Sequence, residues 1–121
     1  MAGPLTDVVV LDLTQEIAGP YATKLFADFG AEVIKVEPPN GDPSRQLGPF
    51  PNNLAGWQLG SAPDEEKHLE KSGTFFYFNT NKRSIAVDLE SKGGKEVFWR
   101  LVDKADVVVE SFKPGKMDDL G

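Results

Sequence analysis

The chain predicts an α/β fold: a parallel sheet with helices packed on its faces. Two observations carry this. Residues 10–39, VLDLTQEIAGPYATKLFADFGAEVIKVEPP, read as strand, turn, helix, strand. Residues 84–110 then repeat the order strand–helix–strand, so the pattern β-α-β-(long loop)-β-α-β belongs to a sheet flanked by helices.

The elements follow in order. Residues 8–13 (VVVLDL) are β-branched and apolar, a candidate buried strand. Pro20 suits the first turn of a helix, where a missing N–H costs little. Ala22, Leu25, Phe26 and Phe29 recur at helical spacing and are expected to face the sheet. Gly30 is the expected stop, and residues 32–37 (EVIKVE) the next strand, ended by Pro38-Pro39. A parallel crossover of this kind is right-handed.

Residues 38–74 carry most of the prolines and the acidic stretch APDEEKHLEKSG. They read as a long surface excursion with a short helix near 63–71. Such loops are usually functional or mobile. Beyond it, Phe75 to Phe78 are expected to be buried, NTNKRS to turn, and residues 84–89 to form a strand. Ser91 caps a helix whose Val97, Phe98, Leu101, Val102 and Ala105 face the sheet, with Gly93 and Gly94 weakening its first turn by roughly 1 kcal/mol each. Residues 106–110 (DVVVE) form the last strand. A doubly wound sheet normally has more than four strands, so the chain reads as the start of a larger domain.

Composition excludes several classes. The 121 residues have 13 Lys+Arg against 19 Asp+Glu, a net charge of −6, which argues against a nucleic-acid binder. With no cysteine there is no thiol nucleophile, disulfide or Cys-based metal site. No apolar run approaches the roughly 20 residues of a membrane span, and no basic segment opens a signal peptide, so a cytoplasmic protein without a membrane partner is expected.

The chemistry is sparse. The turn Thr14-Gln15-Glu16-Ile17-Ala18-Gly19-Pro20 has no G-x-G-x-x-G, and no P-loop lysine motif occurs elsewhere. His68 has no second His or Cys and reads as a solvated loop residue; no metal site is expected. Glu37 and Glu110 close strands, where ligands bind in open α/β sheets; the alternative is a solvated strand end. Lys82-Arg83 in a turn either binds an anion or is simply solvated. Asp12 lies inside a strand, and Asp118-Asp119 reads as an exposed pair.

Three ordered segments, VLDLTQEIAGPYATKLFADFGAEVIKVEPPNGDPSR, FNTNKRSIAVDL and ADVVVESFKPGKMDDLG, resemble the N-terminus of the class III CoA-transferases. This family includes formyl-CoA transferase and the carnitine and bile-acid CoA-transferases. Residues 46–72 depart from it as an insertion-like loop. The resemblance implies a Rossmann-like parallel sheet with flanking helices, of which this chain is an incomplete N-terminal part of the large domain. It implies transfer of CoA from an acyl-CoA to a free carboxylic acid through an aspartyl anhydride and an aspartyl-CoA thioester, with coenzyme A as substrate and no prosthetic group or metal. It also implies an interlocked homodimer.

By the same resemblance Ile17 and Ala18 line the CoA site, Val87, Asp88, Leu89 and Glu90 border the nucleotide end, and Ser111, Phe112 and Lys113 follow the last strand. The formyl-CoA branch has glutamine at the place of Ile17 and basic residues at those of Pro38, Glu90 and Asp119. The phosphates are therefore expected to meet Lys113, Lys116 or Lys82 instead, or coenzyme A to bind more weakly. The family's catalytic aspartate lies several dozen residues past the last motif, beyond Gly121. No catalytic residue is therefore expected within the chain, and the isolated protein is expected to be inactive. Two other readings stand beside this: an α-methylacyl-CoA racemase type, which shares the early motifs, and a non-catalytic small domain that binds CoA or a partner.

Overall fold

The computed structural model describes residues 2–51 and 70–121. Their elements are β1 (Val9–Asp12), α1 (Ala18–Asp28), β2 (Glu32–Glu37), a 3-10 turn (Pro43–Gln46), α2 (Gly73–Phe78), β3 (Arg83–Ala86), α3 (Lys92–Val102), β4 (Val107–Val109) and α4 (Lys116–Leu120). The four strands are all parallel, in the order β3-β2-β1-β4. The chain therefore winds outward from β1 through β2 to β3, then crosses back to β4 on the other side of β1. That reversal makes the carboxyl ends of β1 and β4 the switch point of the sheet.

Period-two alternation divides the core between the two faces. Val10 and Val33 pack with Ala27 of α1, joined by Phe26, Val107 and Val109. Leu11, Leu13, Val36 and Val87 pack on the opposite face against Val97, Phe98, Leu101 and Val102 of α3. On the α1 face the pattern changes along the strands. Val10 and Val33 at the amino half give way to Asp12, Lys35 and Glu37 at the carboxyl half, all buried.

The first βαβ unit forms as the sequence predicts, but α1 turns a different side to the sheet. Its buried residues are Pro20, Thr23 and Ala27. Of the expected stripe Phe26 packs on the core, while Ala22, Leu25 (39%) and Phe29 (54%) are exposed. The reason is polar: Thr23 Oγ1 donates to buried Asp12 Oδ2 at 2.6 Å, so hydroxyl placement orients the helix. Gly30 terminates it with φ 103°, a left-handed conformation that glycine takes without strain.

The aromatic run is not buried throughout as expected. Ser72 caps it, its hydroxyl accepting from Phe75 N at 3.0 Å, and Gly73–Phe78 becomes helical. Only Phe75 is buried, while Phe76 and Tyr77 are exposed. Ser91 caps α3 as expected, accepting from Gly94 N at 2.9 Å. Gly94 is required there, since a Cβ on it would meet Asp88 O at 1.8 Å. The predicted helix near 63–71 falls mostly outside the described residues, as does His68; Glu70 and Lys71 lie in a turn.

Candidate functional site

Segments following all four strands border a cleft of about 210 Å³ at the carboxyl edge of the sheet. Gln15 from the β1–α1 turn, Glu37 at the end of β2 with Pro38 and Pro39 after it, and Val87 to Glu90 after β3 form its walls, with Phe112, Lys116 and Leu120 from beyond β4. Gln15 N donates to Ser111 Oγ at 3.3 Å, a bond that spans the crevice between the β1 and β4 loops. The volume is below the roughly 300–1,000 Å³ of a complete small-molecule pocket.

The turn after β1 is built by buried charges. Asp12, 0% exposed, accepts from Thr14 N at 2.9 Å and from the Thr14 hydroxyl through Oδ1. Its Oδ2 takes Lys82 Nζ at 2.8 Å. Lys82 also donates to Pro20 O at 2.9 Å and Asn79 Oδ1 at 2.8 Å. Burial pushes the Asp12 carboxyl up, and the Lys35 and Lys82 ammonium groups with Thr14 more than offset it, leaving it below its usual value. Burial holds Lys82 below the usual lysine value against the pull of Asp12. Lys82 is therefore neither a solvated turn residue nor a phosphate ligand, and Arg83 is an exposed partner of Glu32 at 2.7 Å.

A second buried pair lies beside the first. Lys35 Nζ stands 2.7 Å from Asp42 Oδ2 and donates to Thr14 O at 2.9 Å. Asp42 Oδ1 accepts from Glu16 N at 3.1 Å and Ser44 N at 2.8 Å. Glu16 has φ 67°, a left-handed backbone that a non-glycine residue adopts only when its surroundings hold it.

Glu37 is not a solvated strand end. Arg45 grips it with Nε and Nη2 at 2.7 and 2.8 Å, Ser84 Oγ donates at 2.5 Å and Asp42 N at 2.9 Å. Burial raises its carboxyl, but these donors outweigh it and lower the pKa to about 2. Asp42 thus ties the loop after β2 to the turn after β1, with its main chain on Glu37 and its carboxylate on Glu16.

Of the residues singled out by resemblance, the structure gathers Val87, Asp88, Leu89, Glu90 and Phe112 in one cleft. Ile17 and Ala18 stand exposed at the start of α1, and Ser111 and Lys113 are exposed after β4; none of the four belongs to the lining. Lys116, at the cleft, pairs with Glu90 at 2.9 Å, and that carboxylate holds the ammonium above its usual value. Glu110 is exposed and accepts from Phe112 N at 2.7 Å, while Asp118 and Asp119 are exposed in α4. Gly121, the residue past which the resemblance puts the catalytic aspartate, is exposed just after α4 with φ 84°. Unlike its neighbour Leu120 it is not part of the cleft lining; it borders a separate hollow with Phe98, Trp99 and Met117, between α3 and α4.

Gln15 and the Lys35–Asp42 pair were not singled out. Charged residues inside strands of the core, Asp12 in β1 and Lys35 in β2, are the signal that a buried network exists, because a buried charge needs a partner. Among the described residues there is no His/Cys/Asp/Glu group able to hold a metal ion, and no helix long and apolar enough to cross a membrane.

A four-stranded parallel sheet flanked by helices, with a cleft at its carboxyl edge, places the chain among the open α/β folds. Its particular kind follows from comparison: the chain belongs to CoA-transferase family III, whose profile matches residues 5–121. Succinyl-CoA:(R)-benzylsuccinate CoA-transferase subunit BbsE of Thauera aromatica is 46% identical over 112 residues, 93% of this chain and 24% of that protein. Succinyl-CoA:mesaconate CoA-transferase of Haloarcula hispanica is 47% identical over 116 residues, 96% of this chain and 26% of that protein. Among solved structures, a CAIB/BAIF family protein from Brucella suis superposes with a TM-score of 0.80 at 36% identity, over 99% of this chain and 29% of that one. Rv3272 from Mycobacterium tuberculosis gives a TM-score of 0.77 at 40% identity, over 99% and 28%. The chain spans about a quarter of the length of these curated relatives.

Proposed function

We propose that these residues are the N-terminal part of the large domain of an enzyme that moves CoA from an acyl-CoA to a free carboxylic acid. In this reading the cleft binds part of the coenzyme A moiety. The observation that carries it is the gathering of Val87 to Glu90 and Phe112, with Lys116 beside them, at the carboxyl edge of the sheet. The walls are mainly apolar, which suits the thiol arm, and Lys116 supplies a cation for a phosphate. Succinyl-CoA, named as donor for both curated relatives, is the first donor to test.

The transfer splits one exchange into acyl-transfer steps. An aspartate attacks the thioester carbonyl, forming a mixed anhydride and releasing the CoA thiolate. The thiolate attacks the aspartyl carbonyl, giving an aspartyl-CoA thioester and freeing the donor acid. The acceptor carboxylate repeats both steps in reverse and leaves as its own CoA thioester.

Within this scheme the chain's residues bind and orient. The carboxylates at the cleft are already engaged: Glu37 by Arg45 and Ser84, Asp88 by Glu90 N at 3.0 Å, and Glu90 by Lys116. Their engagement supports a nucleophilic aspartate outside these 121 residues, beyond Gly121, and a homodimer belongs to the same reading. Calorimetric titration tests the binding half. Coenzyme A is expected to bind the chain and to bind more weakly when Lys116→Glu reverses the cation. An absence of binding to the wild type, or an unaltered affinity in that variant, contradicts it. Turnover of succinyl-CoA by the chain alone contradicts an outside nucleophile.

A further inference from the structure

The polar network behind the cleft does more than neutralise buried charge. It touches the main chain on either side of Gln15, the residue through which the β1–α1 turn reaches the cleft. Thr14 N is held by Asp12 at 2.9 Å, Thr14 O by Lys35 at 2.9 Å, and Glu16 N by Asp42 at 3.1 Å. Gln15 N itself points across the switch point to Ser111. The polar main-chain groups flanking Gln15 thus end on charged side chains that are almost fully inaccessible.

Lys35 and Asp42 do not line the cleft, so their influence on a ligand passes through this turn and the loop after β2. We propose that Lys35 and Asp42 are positioning residues for the cleft: their buried pair locks the turn carrying Gln15, in its left-handed Glu16 conformation, to the loop carrying Pro38 and Pro39. The proposal rests on the reading of the cleft as a coenzyme A site. The two walls then face each other at a fixed spacing before the ligand arrives, and preorganisation of that kind lowers the ordering cost of binding.

The test separates positioning from stability. Lys35→Met alone leaves Asp42 as an uncompensated buried charge and threatens folding. The double variant K35M/D42N removes both charges and keeps an acceptor for Glu16 N and Ser44 N. Val33→Ala serves as the control: it weakens the same sheet from the amino end, away from the cleft.

Two readouts are taken on each protein: amide hydrogen exchange at Gln15 and Glu16 under native conditions, and coenzyme A affinity by titration. In the double variant, exchange at Glu16 is expected to rise about 10- to 100-fold over wild type, since its bond to a charged acceptor becomes a bond to a neutral one, and exchange at Gln15 is expected to rise with the loosened turn. Affinity is expected to fall about tenfold, because the unlocked turn must then be ordered on binding. Val33→Ala is expected to leave both unchanged in the folded protein. Unaltered exchange at Gln15 and Glu16 in K35M/D42N overturns the proposal, as does an equal loss of affinity in Val33→Ala. If wild-type protein binds no coenzyme A, the cleft reading fails, and exchange alone still decides whether Lys35 and Asp42 lock the turn.

Discussion

Replacing Lys82 by Met tests the buried charge network most sharply. Its ammonium makes three contacts of 2.8 to 2.9 Å, to Asp12 Oδ2, Asn79 Oδ1 and Pro20 O, and its side chain is 1% exposed. Met fills similar volume but leaves the Asp12 carboxylate buried without its direct ion-pair partner. Breaking such a pair costs about 3–5 kcal/mol. Asp12 keeps the Thr14 and Thr23 donors, which places the expected loss at about 3 kcal/mol. The pH dependence follows from the same geometry. In the wild type the Asp12 carboxyl lies below 3.8, so its contribution is present above that pH and lost as pH falls through the lowered value. Without Lys82 burial is less opposed and the carboxyl moves up, so protonation relieves the variant earlier. Urea denaturation followed by tryptophan fluorescence reads both effects. The deficit is expected at pH 7 and should shrink as pH falls towards 4. A deficit at pH 7 below about 1 kcal/mol, the size of an exposed pair, refutes the reasoning. A deficit independent of pH refutes it too.

Other substitutions probe separate parts of the account. Glu37, with a pKa near 2 against 4.5, gives stability that is present above about pH 4.5 and lost as pH falls towards 2. Glu37→Gln is expected to lack that acid limb when stability is followed against pH, and a wild-type-like acid transition in the variant counts against it. Gly93→Ala, with nothing within 4 Å of its new Cβ, is expected to stabilise by about 0.5–1 kcal/mol. Gly94→Ala, driven into Asp88 O, is expected to lower the melting temperature, so equal behaviour of the two alanines overturns the packing argument. Glu90→Gln releases Lys116, and coenzyme A is expected to bind this variant more tightly than the wild type at low salt, with the gain shrinking at high salt; binding weaker than wild type contradicts the role given to Lys116.

How far the sequence alone reaches is clear at particular residues. The strand at 32–37, the stop at Gly30 and the cap at Ser91 depend on neighbours a few residues away, so local pattern finds them. The face of α1 does not. The apolar stripe from Ala22 to Phe29 points to one side, but Thr23 must reach Asp12, and a single buried carboxylate decides which side meets the sheet. Lys82 illustrates the same limit, since the turn NTNKRS looks solvated until folding brings it to Asp12, 70 positions earlier. The aromatic run at 75–78 carries no helical period, and the Ser72 cap sets its conformation. At the site, resemblance brings in Val87 to Glu90 and Phe112, because they follow strands in recognisable motifs. Gln15 enters the cleft only through the pairing of β1 with β4, which no short stretch records.

The claim that the cleft holds coenzyme A is tested most directly by mapping backbone amide shifts during a coenzyme A titration of the isotope-labelled chain. The account predicts saturable shifts concentrated at Gln15, Val87 to Glu90, Phe112 and Lys116. Shifts confined to the exposed aromatic side of α1 and α2, at Tyr21, Phe76 and Tyr77, or no saturable shifts at all, would contradict it.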